Sequence, residues 1–352
     1  MPDEITTILG RVSGGGNLSF EEMSTAIDAI MSGRWTDEQI GLLITALAAK
    51  GETVDEIAGA AYAMRRHMTP IRSNRAEILD TCGTGGGESK MFNVSTTAAI
   101  VAAAAGVPVA KHGNRSITSR SGSADVLAEL GVNIHASIAQ VEACLDELGL
   151  CFCFAPLMHP SMKHVAAVRK KLGIRTIFNI LGPLVNPAGA CYQLLGAGRP
   201  KLRPLLAGAI QRLGTTRCYV VSGDDGLGDV TLAGTTYVTA VSAERPSPSR
   251  RGLGEGIREF MWQPEDFGVA RHSLNDLQIE TPAESAAVIR RVLSGEPGPA
   301  RDIVVLNAAA GILVAGQETD PTSAASRVAE AIDSRAAEQL LRRLAARSHQ
   351  PA

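Results

Sequence analysis
At 352 residues, 45% apolar and 20% charged, the chain is long enough for two domains and has the balance of an ordinary globular protein. A formal net charge of −2 excludes a global basic field for nucleic acid or an anionic membrane, and 4% aromatic residues are too few for single-strand stacking platforms. The acidic start Met1-Pro2-Asp3-Glu4 lacks the order of a signal peptide. The longest apolar run, Ala98 to Ala105, is far short of a membrane span, and the six cysteines form no CxxC. The expectation is a cytoplasmic protein with reduced, mostly buried thiols, no nucleic-acid partner and no membrane.

The first 70 residues read as helical. A short helix at about 3–12 precedes Gly14-Gly15-Gly16. Then Ser19-Phe-Glu-Glu22, Thr36-Asp-Glu-Gln39 and Thr53-Val-Asp-Glu56 each place a hydroxyl three residues before Glu or Gln. That spacing lets side chain and backbone satisfy each other at a helix start. Gly33 and Gly51 stand where helices end, and Pro70 closes the last one.

From about Glu77 strand-like runs alternate with helical ones. Strands are expected at Ile78–Cys82, Val107–Ala110, Cys151–Ala155, Gln193–Ala197, Arg217–Ser222 and Ile303–Leu306. Helices are expected at about 94–105, 123–130, 138–148, 161–172, 201–213 and 282–294. The alternation predicts an α/β fold: a small N-terminal α-helical bundle domain plus a larger α/β domain with a mostly parallel central sheet. The expected boundaries are 1–72 for the helical domain, joined by helices within about 160–185, and 73–347 for the α/β domain. Residues 348–352 read as a disordered tail, and Glu244 to Gly256 as an exposed loop.

The stretch "CGTGGGESKMFNVST", residues 82–96, holds four glycines, a lysine and four hydroxyl side chains between a strand and a helix. It is not a Rossmann fingerprint, which needs glycine where Glu88 stands, and Ser89-Lys90 only approaches a P-loop. Backbone without Cβ atoms can still approach an anion, and the following helix offers free N–H groups. A helix cap after a flexible turn explains the stretch equally well. The next strand leads to Lys111-His112-Gly113-Asn114-Arg115-Ser116 and on to Ser123, three cations and five hydroxyls in thirteen residues. A solvated turn accounts for Arg120 but poorly for Lys-His-Gly-Asn-Arg. Two such loops at one sheet edge suit a ligand with more than one phosphate.

The segments "DTCGTGGG", "FNVST", "KHGNRS", "SGSADVLAELGV", "HPSMKHVAAVRKKLGIRTIFNILGPLVNPA" and "DIVVLNAAAGILVAG" resemble the anthranilate phosphoribosyltransferases, in order and over nearly the whole chain. The resemblance implies an active site in the cleft between a helical and an α/β domain, and a homodimer. It implies transfer of the phosphoribosyl group of phosphoribosyl pyrophosphate (PRPP) to the amine of anthranilate, with Mg²⁺ and release of pyrophosphate, in tryptophan biosynthesis. Any association with an anthranilate synthase subunit stays open. By matching position, Gly83, Gly86, Gly87, Met91, Asn93, Val94, Ser95, Thr96, Lys111, Ser119 and Ser123 are expected to bind PRPP. Gly83, His112, Asn114 and Arg169 are expected at anthranilate, and Ser95 and Asp229 at the metal. Lys111, Asn114 and Arg169 carry the expected catalytic roles.

Arg169 shares a helical stripe with Met162 and Val165, so its guanidinium is drawn toward an apolar surface and needs a carboxylate or must snorkel to water. A protein salt bridge or a substrate carboxylate would serve, and the resemblance favours the substrate. His112 reads as a proton relay or a hydrogen-bond donor. His159 and His164 are five apart, wrong for two metal ligands on one helix face.

The chain departs from the family pattern in four places. Gly87 stands for Asp, Glu88 for Gly, Met91 for Thr, and Gly226-Leu227-Gly228-Asp229 for Gly-Leu-Asp-Glu, the run that binds a second Mg²⁺. Asp224 or Asp225 could reach such an ion through water. The alternatives weighed are a pyrimidine nucleoside phosphorylase-like enzyme, whose usual loop sequences are not seen, and a non-catalytic nucleic-acid-binding relative.

Overall fold
A computed structural model describes residues 4–85, 90–116, 120–242 and 256–351. Helices α1 (Glu4–Ser13), α2 (Phe20–Met31), α3 (Asp37–Lys50) and α4 (Val54–His67) form the N-terminal bundle. All three predicted start signals close as reciprocal caps, Ser19 with Glu22, Thr36 with Gln39 and Thr53 with Glu56. Glu56 also accepts the Leu18 N–H at 2.9 Å and pairs with Lys50 at 2.7 Å. Its side chain is buried, and these partners make the buried charge tolerable. Gly33 ends α2 at φ +70°, a conformation that β-carbon residues avoid.

The rest of the chain builds β1 (Leu79–Gly83), α5 (Val94–Ala104), β2 (Val109–Gly113), α6 (Ser123–Glu129), α7 (Ile138–Leu148), β3 (Leu150–Phe154) and the short α8 (Ala155–Met158). There follow α9 (Lys163–Leu172), β4 (Tyr192–Gly196), α10 (Leu202–Arg212), β5 (Arg217–Gly223), β6 (Thr236–Ser242) and β7 (Gly256–Trp262). Helices α11 (Pro282–Leu293), α12 (Pro299–Val314), α13 (Pro321–Asp333) and α14 (Ala336–Ser348) complete the fold. The sheet order is β3-β2-β1-β4-β5-β6-β7. The first five strands are parallel, and β6 and β7 extend the sheet antiparallel.

Alternation along the strands separates two cores. Tyr192, Leu194, Tyr219 and Val221 face one cluster with α5, α12 and α13. Leu195, Ala197, Cys218 and Val220 face the other, which continues through α10 into the bundle. Val165 and Val168 of α9, and Ile177 to Val185, belong to that second cluster.

Three expectations need correcting. Ile303–Leu306 is the middle of α12, not a strand. The helix is buried on nearly every side, so its apolar run carries no helical period, and only its length separates it from a buried strand. β2 runs on to Gly113, which puts Lys111 and His112 in the strand rather than in the loop after it. Residues 348–351 are held rather than loose: the Ser348 hydroxyl accepts the Asn133 N–H at 2.9 Å, and the Gln140 amide donates to the Gln350 carbonyl at 2.7 Å. Strands β6 and β7 and helices α13 and α14 lie outside the predicted elements. The expected loop at 244–256 falls almost wholly on 243–255, outside the described residues, and Gly256 opens β7.

Candidate active site
Strands β1, β2 and β4 end on Gly83, Gly113 and Gly196, at the carboxyl edge where parallel sheets bind ligands. Close packing opposes a Cβ at all three, and one on Gly83 would lie 2.9 Å from the Gly196 carbonyl oxygen. A Cβ on Gly196 would collide with the Gly228 carbonyl, and one on Gly113 with the Ser123 hydroxyl. Above this edge opens a cavity of about 420 Å³. Its walls are the glycine loop (Gly83, Thr84, Gly85), the start of α5 with the residues before it (Met91 to Thr96), and the loop between β2 and α6 (Asn114 to Ser116, Ser121 to Ser123). Arg169, Arg175, Phe178, Asn179 and Ile180 close one side; Gly198, Arg199, Leu202 and Leu227 to Asp229 close another.

Lys111 rises from β2 into the floor and is 3% exposed. Its Nζ donates to the Thr81 carbonyl at 2.5 Å and to the Ser95 hydroxyl at 3.5 Å. Burial lowers its pKa, opposed by the charges of Asp80, Cys82 and Asp229. Those carboxylates feel the converse: burial pushes Asp80 up against the pull of Lys111, and it pushes Asp229 up to about 7. Asp229 keeps some exposure and lines the cavity. The Thr96 hydroxyl, also in the wall and 1% exposed, has no hydrogen-bond partner among the described residues.

Neighbouring strand residues face opposite sides of a sheet, so His112 points away from Lys111. Its Nδ1 meets the Gly182 carbonyl at 3.1 Å, and its Nε2 lies 3.2 Å from Nε2 of His159. Burial, then the neighbouring His159, pulls its pKa down to about 3, and burial brings His159 to about 4. Both ring nitrogens of His112 are thus committed inside the protein.

Two polar side chains shape the loops. Asp125 of α6 holds the β2–α6 loop from within, accepting from Arg115 at 2.8 Å, from the Ser116 N–H at 2.9 Å and from the Gly122 N–H at 3.1 Å. The Asn93 side chain joins three elements: Oδ1 accepts from the Ser121 and Ser285 hydroxyls at 2.7 and 2.8 Å, and Nδ2 donates to the Ser121 carbonyl at 3.1 Å. The Ser123 hydroxyl donates to the Asn114 carbonyl at 3.3 Å.

Arg169 differs from all of these. It sits on α9 above the ring of Phe178, 5.8 Å from its centroid. Burial alone shifts its pKa, downward, and no carboxylate among the described residues pairs with it. The expected choice between a protein partner and a substrate partner therefore leaves the guanidinium available to a ligand.

Known proteins share this fold. Residues 75–338 match the glycosyl transferase family, a/b domain, and residues 6–68 its helical bundle domain. The anthranilate phosphoribosyltransferase of Moorella thermoacetica is 46% identical over 338 residues, covering 96% of each chain. The chain belongs to the anthranilate phosphoribosyltransferase family. Among solved structures, the family's enzyme from Thermus thermophilus is similar with a TM-score of 0.88 and 39% identity, over 97% of this chain and 99% of the other. The enzyme from Saccharomyces cerevisiae, in complex with PRPP and Mg, has a TM-score of 0.86 at 27% identity, over 98% and 97%.

Of the residues that the family resemblance marked, Gly83, Met91, Asn93, Val94, Ser95, Thr96, Lys111, His112, Asn114, Ser123, Arg169 and Asp229 line the one cavity. Gly86, Gly87 and Ser119 lie outside the described residues. Asp224 and Asp225, the suggested water-mediated metal partners, hold their own turn instead. Asp224 accepts the Thr235 N–H at 3.0 Å, and Asp225 accepts the Leu227 N–H at 2.9 Å and the Thr231 hydroxyl at 2.5 Å. Neither lines the cavity. Asp229 is set instead by buried Asn307 of α12, whose amide accepts the Val230 N–H and donates to the Val230 carbonyl, both at 2.9 Å. Sequence reading passed over Asn307, because it directly follows the run mistaken for a strand. Arg175, Phe178 and Asn179 were quoted within the long "HPSMKH…" motif without a role, and Arg199 carried no signal.

Proposed function
We propose that this cavity is where PRPP and anthranilate meet. The chain is a glycosyltransferase that moves the phosphoribosyl group of PRPP to the amine of anthranilate, giving N-(5-phosphoribosyl)anthranilate and pyrophosphate. One observation carries the placement: a buried lysine, and a threonine hydroxyl and an arginine without hydrogen-bond or carboxylate partners among the described residues, line one cavity at the sheet's carboxyl edge.

As the anomeric carbon loses pyrophosphate, negative charge grows on the leaving group. Lys111, the Thr96 hydroxyl and the backbone of the glycine loop and of α5's first turn supply fixed positive charge and donors there. Anthranilate's aromatic amine is uncharged near neutral pH, so it needs placement more than deprotonation. Arg169 takes the acceptor's carboxylate, with Asn114 as a second polar contact. His112, neutral and with both nitrogens engaged, shapes the floor and does not relay a proton.

Ser95 and Asp229 offer two hard oxygen donors beside Lys111. Among the described residues no cluster of three His, Cys, Asp or Glu side chains could hold a metal alone. That donor set fits Mg²⁺, which keeps water and takes its remaining ligands from substrate phosphates. When bound, the ion neutralises charge on the pyrophosphate. Gly228 contributes no side-chain oxygen, so one ion suits these residues better than two.

Leu42 of α3 is 57% exposed and Ile174, just after α9, 47%. These two apolar side chains on adjoining elements support pairing of two copies as a homodimer, which light scattering would detect. Six free cysteines, five of them buried, support a reducing, cytoplasmic setting. The reaction is tested by following loss of anthranilate fluorescence with PRPP and Mg²⁺. Turnover of thymidine with phosphate and none with anthranilate would select a phosphorylase instead.

A further inference from the structure
Arg199 stands in the cavity wall on the connection from β4 to α10, half-buried. No carboxylate among the described residues pairs with it. The other arginines along α10 are committed. Arg203 meets Glu259 at 3.4 Å and the Tyr237 ring at 5.3 Å; Arg212 meets Asp55 at 3.0 Å and the Phe20 ring at 5.4 Å. Cations near the glycine loop and the β2–α6 loop are committed as well. Arg115 is on Asp125, and Lys90 and Arg120 each lie 3.1 Å from Glu280. A half-buried guanidinium without a partner in a ligand cavity is a costly placement unless a ligand supplies the anion.

Its position selects which anion. Gly198, one residue before, donates its N–H to the Thr84 hydroxyl of the glycine loop at 3.2 Å. On its other side a Cβ at Gly228 would lie 3.1 Å from the Gly198 Cα and N. Arg199 therefore emerges at the seam between the glycine loop and the Gly228–Asp229 turn. Gly228 adds no ligand atom at that seam. A polyphosphate resting there would meet Arg199 at the seam, whereas Lys111 lies deep in the floor.

We propose that Arg199 binds the pyrophosphate group of PRPP, as a fixed guanidinium on the Gly228 side of the cavity. This rests on the reaction stated above. The planar fork of a guanidinium suits two phosphate oxygens at once.

The test compares wild type with Arg199→Gln and Arg199→Lys. Calorimetry measures the binding of pyrophosphate with Mg²⁺ and, separately, of ribose 5-phosphate; steady-state kinetics gives both KM values. Arg199→Gln is expected to weaken pyrophosphate roughly 10- to 100-fold, the range of a hydrogen bond to a charged group, and to raise KM for PRPP in step. Ribose 5-phosphate affinity and KM for anthranilate stay within about twofold, since neither ligand carries the group that Arg199 holds. Arg199→Lys recovers part of the loss, because it keeps the charge without the fork. Thermal midpoints close to wild type separate binding from folding. An active wild type with unchanged pyrophosphate affinity in Arg199→Gln overturns the assignment, as does a loss confined to ribose 5-phosphate. A wild type that binds neither PRPP nor pyrophosphate overturns the reaction itself.

Discussion
Lys111 and Arg169 reach the same cavity from elements of different kinds, and the protein treats them in opposite ways. Lys111 stands on a central strand, almost wholly buried, with a carbonyl, a hydroxyl and two carboxylates around it. Arg169 stands on a peripheral helix with only an aromatic ring beneath it. The Lys111 side is fixed by contacts within the protein: Asn93 and Asp125 tie its loops together. The Arg169 side is left electrostatically incomplete. Rigid charge suits a leaving group whose charge grows during the reaction, and an unpaired cation suits a small acceptor that brings its own carboxylate.

The sharpest break in this contrast is Lys111→Met. It removes the fixed charge and leaves Asp80 and Asp229 without their cation. kcat is expected to fall roughly 100- to 1,000-fold, the effect of deleting one preorganised donor. Single-turnover kinetics with saturating substrates reads this directly, and a drop below tenfold would mean that Lys111 is structural.

Arg169→Ala should act on one substrate. Its guanidinium pairs with no carboxylate among the described residues, so stability is expected to change little. KM for anthranilate is expected to rise roughly 10- to 100-fold, with KM for PRPP within about twofold. Equal rises in both would erase the distinction between the two sides.

The fold was legible in the sequence where local chemistry repeats. Three capping boxes announced the bundle, and two strand-loop-helix units in succession announced the sheet edge. Legibility failed where burial hides the period, as in α12, and with it went Asn307. It failed again at the end of β2: without the last residues of that strand, Lys111 and His112 looked like one loop cluster, whereas the pleat sends them to opposite faces. Family motifs brought the cavity residues together by position, yet they could not say that Asn93 is held by Ser121 and Ser285, or that Arg199 has no carboxylate partner among the described residues. Those facts depend on side chains far apart in the chain.

Asp229 sharpens the contrast through pH. Burial raises its folded pKa to about 7, above the ordinary 3.8, so folding favours the protonated acid. That contribution to stability is complete below pH 3.8 and is lost as pH rises through 7. Urea titrations without Mg²⁺ should therefore show stability declining across that window, and Asp229→Asn should flatten the decline. A cation must displace the same proton, so half-saturating Mg²⁺ should rise by up to about tenfold per unit as pH falls below 7. Asn307→Ala, which frees the Val230 backbone, should raise it a few-fold at pH 8 as well. A Mg²⁺ requirement that is flat with pH would remove Asp229 from the metal site.

The smallest kinetic effect belongs to His112, though it adjoins Lys111 in the chain. With a pKa near 3 it stays neutral throughout the working range, and its nitrogens serve Gly182 and His159 rather than the cavity. His112→Gln should leave KM for PRPP within about twofold and the pH profile of kcat unchanged above pH 5, while leaving His159 short of a partner at a cost of roughly 1–3 kcal/mol in stability. A new or missing limb in the kcat profile would show that the ring moves a proton during turnover. The two faces of β2 would then share the chemistry instead of dividing it.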